Sequence, residues 1–168
     1  LAILIMGIII VYSSIISKVP LVPARRKSID SIIKALDLKP GDILYDLGSG
    51  DGRILSSALD KHSDIKAVGL EIGPWPRLIS KIKLRKYGDR VKILNQDFYK
   101  ADLSEATHIF MYLYPKIMKK LEVHFDQTLK PGVRLVSCDF PFPNKKPDQV
   151  ITIPGAKTLS KTLYIYTW

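Results

Sequence analysis

The chemistry in this chain concentrates in one octapeptide, Asp46-Leu47-Gly48-Ser49-Gly50-Asp51-Gly52-Arg53, set between a short apolar run and an amphipathic one. Glycines at such a strand-to-helix turn let the backbone fold tightly and approach a ligand closely. Backbone N–H groups at the start of the following helix favour a negative group. Asp46, at the strand end, is placed to hold a cationic group, directly or through water. Glu71 closes the next apolar run, where a carboxylate can accept both hydroxyls of a ribose. Asp97, within Asn95-Gln96-Asp97-Phe98, follows the third run and is placed to accept from an adenine amino group, with Phe98 close to the ring.

The expected ligand carries a nucleoside, a cationic amine and a carboxylate, as S-adenosylmethionine (SAM) does. Its binding residues are expected to be Asp46, Gly48, Ser49, Gly50, Gly52, Glu71 and Asp97. A dinucleotide competes for any glycine-rich turn, but here the third glycine comes one position earlier than in the dinucleotide fingerprint. The chain also closes on a predicted strand hairpin, which dinucleotide domains do not need.

Other reactive types say less. His62, His108 and His124 share no ligand spacing, so no metal site is expected. Cys138 is the single cysteine, which leaves no internal disulfide and suits a small buried hydrophobe. Tyr112 and Tyr114 end the fourth strand, and Phe140 and Phe142 follow the fifth. They fall at the carboxyl ends, where the pocket of an open α/β sheet lies. These aromatics are expected to line an acceptor channel, with Tyr112 and Tyr114 as catalytic candidates; ordinary core packing is the alternative for each. No dedicated general base is evident. Lys81, Lys83, Arg85 and Lys86 form a basic helix end, read as the complement of the helix dipole or as a docking site for anionic lipid or an acidic protein face.

The elements that must position these residues follow from periodicity. Ile29, Ile32, Ile33 and Leu36 mark one face of a helix, stopped by Pro40-Gly41. Strands are predicted at Ile43–Leu47, Ala67–Leu70, Val91–Leu94, Thr107–Leu113 and Val133–Asp139. Helices are predicted from about Arg53 to Lys61, from Pro74 through about Lys86, and across Ile117, Leu121, Phe125 and Leu129. Gln149–Ile153 and Thr162–Thr167 read as two strands joined at Pro154-Gly155. Alternation of strand and helix implies right-handed crossovers and a parallel sheet. The last link is too short for a helical crossover, so its strands should pair antiparallel. The expected fold class is α/β: a Rossmann-like, mostly parallel seven-stranded sheet with an antiparallel C-terminal hairpin.

The 168 residues fit one domain, and 46% hydrophobic with 25% charged residues suits a folded protein. The formal charge of +10 reflects either a basic solvated surface or an anionic partner, whether nucleic acid, an acidic protein patch or lipid. Leu1 to Ile16 is almost wholly apolar and uncharged. Residues 1–17 are expected to form a membrane anchor, somewhat short of the about 20 residues of a full span. Residues 18–27 read as a proline-containing basic linker, and residues 28–168 as the SAM-binding domain. Lys18, Arg25, Arg26 and Lys27 on that flank place the domain on the cytoplasmic side, or the equivalent side of an organelle membrane.

On the motif Asp46 to Arg53 followed by Glu71 and Asp97, the chain resembles the class I, seven-strand SAM-dependent methyltransferases over roughly residues 19 to 168. Within them it resembles a small group of protein-lysine methyltransferases, archaeal and membrane-anchored mitochondrial. The features are Val19-Pro20-Leu21-Val22-Pro23, Tyr45 through Arg53, Gly73-Pro74-Trp75, and Arg134-Leu135-Val136-Ser137 before Phe140-Pro141-Phe142-Pro143. That group usually has Asn where this chain has Gly73. The segment Met111-Tyr112-Leu113-Tyr114-Pro115 departs from the Asn-Pro-Pro-Tyr element of DNA and glutamine methyltransferases, which argues against those substrates.

The resemblance implies SAM as cofactor and, as partner, a protein with an accessible lysine, at or in the membrane. A lysine amine must first lose its proton, which desolvation favours, while tyrosine faces hold the departing cation. The other readings are a methyltransferase of RNA, lipid or a small molecule, and a non-catalytic SAM-binding membrane protein.

Overall fold

The computed structural model describes residues 26–156 and 159–168. The expected anchor, residues 1–17, and most of the expected linker lie outside them. Among the described residues, no helix is long and apolar enough to cross a membrane. Helix α1 spans Arg26–Leu36, so Arg26 and Lys27, read as the end of the linker, open a helix instead. It buries Ile32, Ile33, Ala35 and Leu36. Asp37, at φ 52, stops it.

The remaining elements are β1 (Ile43–Leu47), α2 (Arg53–Lys61), β2 (Lys66–Leu70), α3 (Pro74–Leu84), a 3₁₀ segment (Arg85–Arg90), β3 (Val91–Leu94), β4 (His108–Met111), α4 (Pro115–Thr128), β5 (Arg134–Cys138), β6 (Gln149–Thr152) and β7 (Thr162–Thr167). They form a seven-stranded sheet in the order β3-β2-β1-β4-β5-β7-β6. Strands β1 to β5 are parallel, and β7 pairs antiparallel with both β5 and β6. The mostly parallel sheet and its antiparallel hairpin are as the sequence predicts.

Successive strand residues point to opposite faces, and two cores follow. Leu44, Ala67, Phe110, Val136 and Ile165 pack with α1 and α2 on one side. Tyr45, Leu47, Leu70, Ile109, Leu135 and Tyr166 pack with α4 on the other. Neither the β3–β4 link nor the β5–β6 link contains a helix. In place of helices, Ala101, Leu103, Ala106 and the ring of Phe142 fill that second side.

Three elements are shorter than their apolar runs. β4 stops at Met111, because Tyr112, Leu113 and Tyr114 leave the sheet to start α4 at Pro115. β5 stops at Cys138, because Asp139 turns to φ 64. α3 gives way to 3₁₀ geometry after Leu84, ahead of Gly88 at φ 57.

Register aligns the carboxyl ends. Leu47 lies beside both Leu70 and Met111, Leu70 beside Leu94, and Met111 beside Ser137. Gly48, Glu71, Asn95 and Tyr112 are therefore the first residues beyond neighbouring strands, side by side along one rim.

Candidate functional site

The rim begins with the elbow after β1. Gly48, Gly50 and Gly52 hold φ of 79°, 54° and 72°, a left-handed backbone that residues with a side chain seldom adopt. The turn drops Ser49 and Asp46 into the interior, 5% and 2% exposed. It can sit so low because β2 carries Gly69 beneath it. A Cβ at Gly69 would meet Ser49 Oγ at 2.6 Å, Ile93 Cδ1 at 2.8 Å and Leu55 Cδ1 at 2.9 Å. Gly69 lies outside the motif legible in the sequence, although a glycine inside a strand often marks such a close approach.

Asp46 is the unusual group. Burial, then the nearby carboxylates of Glu71 and Asp51, push its pKa well above the ordinary carboxylate value. Among the described residues, no hydrogen bond or ion pair reaches its carboxylate. Ser49 Oγ is likewise buried without a partner. Such groups are normally satisfied, so a pair of them at one turn marks where a ligand belongs. A buried anion flanked by anions calls for a cation.

Four of the elbow's backbone donors are already engaged. Gly48 N and Ser49 N donate to Leu70 O at 2.9 and 3.0 Å, and Gly52 N to Ser49 O at 2.9 Å. Gly50 N donates to Glu71 Oε2 at 2.9 Å. At the start of α2 the anion is Asp51 itself, which accepts from Arg53 Nε at 2.9 Å and lies 3.7 Å from Lys83 Nζ. Although burial opposes it, those cations hold Asp51 below its usual pKa. A pyrophosphate placed here would face Asp46, Asp51 and Glu71 with those donors already taken. A cationic sulfonium amino acid meets the opposite field, so the residues present fit SAM and not a dinucleotide.

Glu71 bridges the elbow to the next helix. Its other oxygen, Oε1, accepts from Gly73 N at 2.6 Å. A Cβ at Gly73 would come within 2.9 Å of that oxygen, so glycine here lets the carboxylate turn inward. Arg77 donates to Glu71 O and Ile72 O at 3.3 and 3.2 Å and also to Asn95 Oδ1, tying the ends of β2 and β3 together. Asp97 stands just past that tie and accepts from Tyr99 N at 3.0 Å. Phe98 lies beside it with its ring 4.8 Å from that of Tyr99. The acids expected from sequence thus share one rim.

Beyond β4 the wall becomes aromatic. The ring of Phe140 stacks between Tyr112, 6.3 Å away, and Tyr114, 6.1 Å away. Leu113, between the tyrosines, lies over the elbow, with its Cδ2 3.3 Å from where a Cβ on Gly48 would be. Phe142 does not join this wall. Its ring packs 5.1 Å from Tyr166, 5.0 Å from Trp168 and 6.0 Å from Phe125 in the core.

Tyr112 is braced by residues that no local pattern reveals. Its hydroxyl donates to Asp139 Oδ2 at 2.7 Å. Asp139 also accepts from Ser160 N, Lys161 N and Thr162 N at 2.7, 2.6 and 3.0 Å. Burial raises the pKa of Asp139, but these four donors outweigh it and leave it below the usual range. Burial, then the bond to Asp139, pushes the Tyr112 phenol far above its ordinary value. Tyr112 therefore offers a ring face, not a base. Ser28 of α1 completes the brace by donating to Ser160 O at 2.9 Å.

Residues 46–149 match the family model of the ANTKMT methyltransferase domain. The chain belongs to this family. A protein-lysine N-methyltransferase of Saccharolobus islandicus is 33% identical across 91% of this chain and 96% of its own length. A human lysine N-methyltransferase named for the C-subunit of ATP synthase is 35% identical across 78% of this chain. The chain spans little more than half of that relative, 56% of its length. Among solved structures, an RNA methyltransferase from Salinibacter ruber in complex with S-adenosyl-L-homocysteine superposes with a TM-score of 0.79, at 34% identity over 87% of this chain and 93% of that one. SAM is accordingly the cofactor, supplying an electrophilic methyl group when bound. Asp46, Ser49, Glu71 and Asp97 are the side chains of this ANTKMT-family rim that would hold it.

Proposed function

We propose that this protein transfers the methyl group of SAM to lysine side chains of a protein substrate, at or in a membrane. The observation that carries the reading is the stacked wall of Tyr112, Phe140 and Tyr114 beside the cofactor elbow. It is aromatic, and its one acid, Asp139, is spent on four hydrogen bonds. A lysine entering there is desolvated, which lowers its pKa and frees the amine for attack. The tyrosine faces then hold the methylated cation that leaves. Tyr112 acts as a positioned ring, and Tyr114, 39% exposed, stands at the mouth.

The names of the archaeal and human relatives support a lysine acceptor. A mouse relative named adenine nucleotide translocase lysine N-methyltransferase, 29% identical over 80% of this chain, points the same way. Residues 1–17 serve in this proposal as the membrane anchor, and the basic flank keeps the domain on the cytoplasmic or equivalent side. Tethering raises the local concentration of membrane-embedded substrates.

One observation favours a second reading. The Salinibacter structure is described as an RNA methyltransferase, and the charge of +10 suits a polyanion. Labelled SAM incubated with the protein and a membrane lysate decides between them. Label that survives nuclease and is lost to protease, appearing as methyl-lysine on hydrolysis, supports the proposal. Label released by nuclease alone refutes it.

A further inference from the structure

Helix α3 turns an apolar stripe outward. Trp75, Leu78, Ile79 and Ile82 are 43%, 48%, 51% and 66% exposed. They recur at i, i+3, i+4 and i+7, which at about 3.6 residues per turn is one face. The opposite face, Pro76, Ser80 and Leu84, is buried toward the sheet. No acidic residue occurs between Pro74 and Gly88. The helical period puts Lys81 along one border of the stripe and Lys83 along the other, and Arg85 and Lys86 follow in the 3₁₀ segment. Lys83 is shared with Asp51 and Lys86 with Asp60. Lys81 and Arg85 make no ion pair among the described residues.

We propose that α3 is an interfacial helix that lies on an anionic bilayer surface, with Trp75 and Ile82 entering the boundary between headgroups and acyl chains. An apolar stripe bordered by lysines, with a tryptophan at one end, has the composition of helices that rest in that plane. The charge selects this occupant. A two-fold contact between copies of this chain through α3 would bring together two helices that both carry Lys81 and Arg85 and no acid, whereas anionic headgroups neutralise both. Because α3 starts directly after Gly73, whose N–H holds Glu71, the docked helix keeps the cofactor rim close to the membrane plane.

The test uses the full chain with vesicles of phosphatidylcholine and phosphatidylglycerol whose lipids are brominated in the upper acyl chain. Bromine quenches tryptophan on contact. The protein has two tryptophans, and Trp168 packs against Phe125 and Phe142 with its Nε1 buried. Quenching of the wild type that is mostly lost in Trp75→Phe supports the proposal. So does a drop of about fivefold or more in the quenched fraction for Lys81→Glu/Arg85→Glu on anionic vesicles, with SAM uptake unchanged. Quenching that persists in Trp75→Phe, or is indifferent to the charge reversals, overturns it. So does concentration-dependent dimerisation without lipid that Ile82→Glu abolishes. The readout needs no methyl acceptor, so it stands or falls apart from the lysine assignment.

Discussion

Replacing Asp46 by Asn should strengthen the free protein while disabling it. The carboxylate of Asp46 is dry, flanked by Glu71 and Asp51, and reached by no cation among the described residues. A group whose folded pKa lies above its unfolded value contributes stability that is fully present below the unfolded value, about 3.9, and lost as pH rises through the folded one. At neutral pH the wild type therefore bears the cost of an ionised or forcibly protonated acid, and Asn does not titrate. Relief of an uncompensated buried group amounts to about 1–2 kcal/mol after the amide's own desolvation. For a domain of this size, this raises the melting temperature by about 3–6 °C.

SAM reverses the order. Its ammonium gives Asp46 a partner, so loss of that charged contact should weaken binding about 100-fold, or about 3 kcal/mol. The assay is thermal unfolding of both proteins with and without saturating SAM, repeated from acid to neutral pH, with calorimetry for affinity. Relative to Asp46→Asn, the wild type should lose stability as pH rises from acid toward neutral, and SAM should restore it. Asp46→Asn should lack both this component of the pH dependence and the rescue. If the variant melts at or below the wild-type temperature and keeps the SAM-dependent shift, the cation is seated elsewhere and the assignment of the rim fails.

Gly69→Ala should cost about 1–3 kcal/mol in urea unfolding, because its Cβ meets Ser49, Ile93 and Leu55 at under 3 Å; SAM affinity should fall with it as the elbow is lifted. Tyr112→Phe removes one of four donors to Asp139 and should lower stability by about 1 kcal/mol. SAM affinity measured by calorimetry should be unchanged, while methyl transfer to protein falls. Asp139→Asn should flatten the acid limb of the stability profile: the depressed pKa of Asp139 adds stability above the unfolded value that is lost as pH falls through the folded one. Cys138 is buried, and burial pushes its thiol well above the ordinary range. A thiol-reactive dye should therefore label it only in denaturant.

The half of the site assigned here to the cofactor was legible because it is local. Asp46 to Arg53 is one turn, and Glu71 and Asp97 each follow a recognisable strand. Strand ends were less so. Tyr112 and Leu113 continue the apolar run of β4, and only the geometry of the rim pulls them off the sheet. The pairing of Gly48, Ser49 and Gly50 N–H with Leu70 and Glu71 depends on register between strands, which no octapeptide encodes. Phe142 reads like Phe140 two residues before it, yet one ring faces the wall and the other the core. Asp139 carried no signal at all, since its partners lie 27 residues before it and 21 to 23 after. The outward stripe of α3 was masked for another reason: Trp75, Leu78, Ile79 and Ile82 have the spacing of a buried face, and nothing in the sequence says which side of a helix meets the sheet.

The bond from Ser28 to Ser160 spans 132 residues, and this separation has a kinetic meaning. Asp46, Ser49, Glu71 and Asp97 all precede β4 in the chain. The brace of Tyr112 needs Asp139, the 160–162 turn and the opening helix together. Contacts so distant along the chain form late. Synthesis runs from α1 toward β7, so the residues assigned here to the cofactor emerge before the acid that braces Tyr112, and the aromatic wall is fixed only after them.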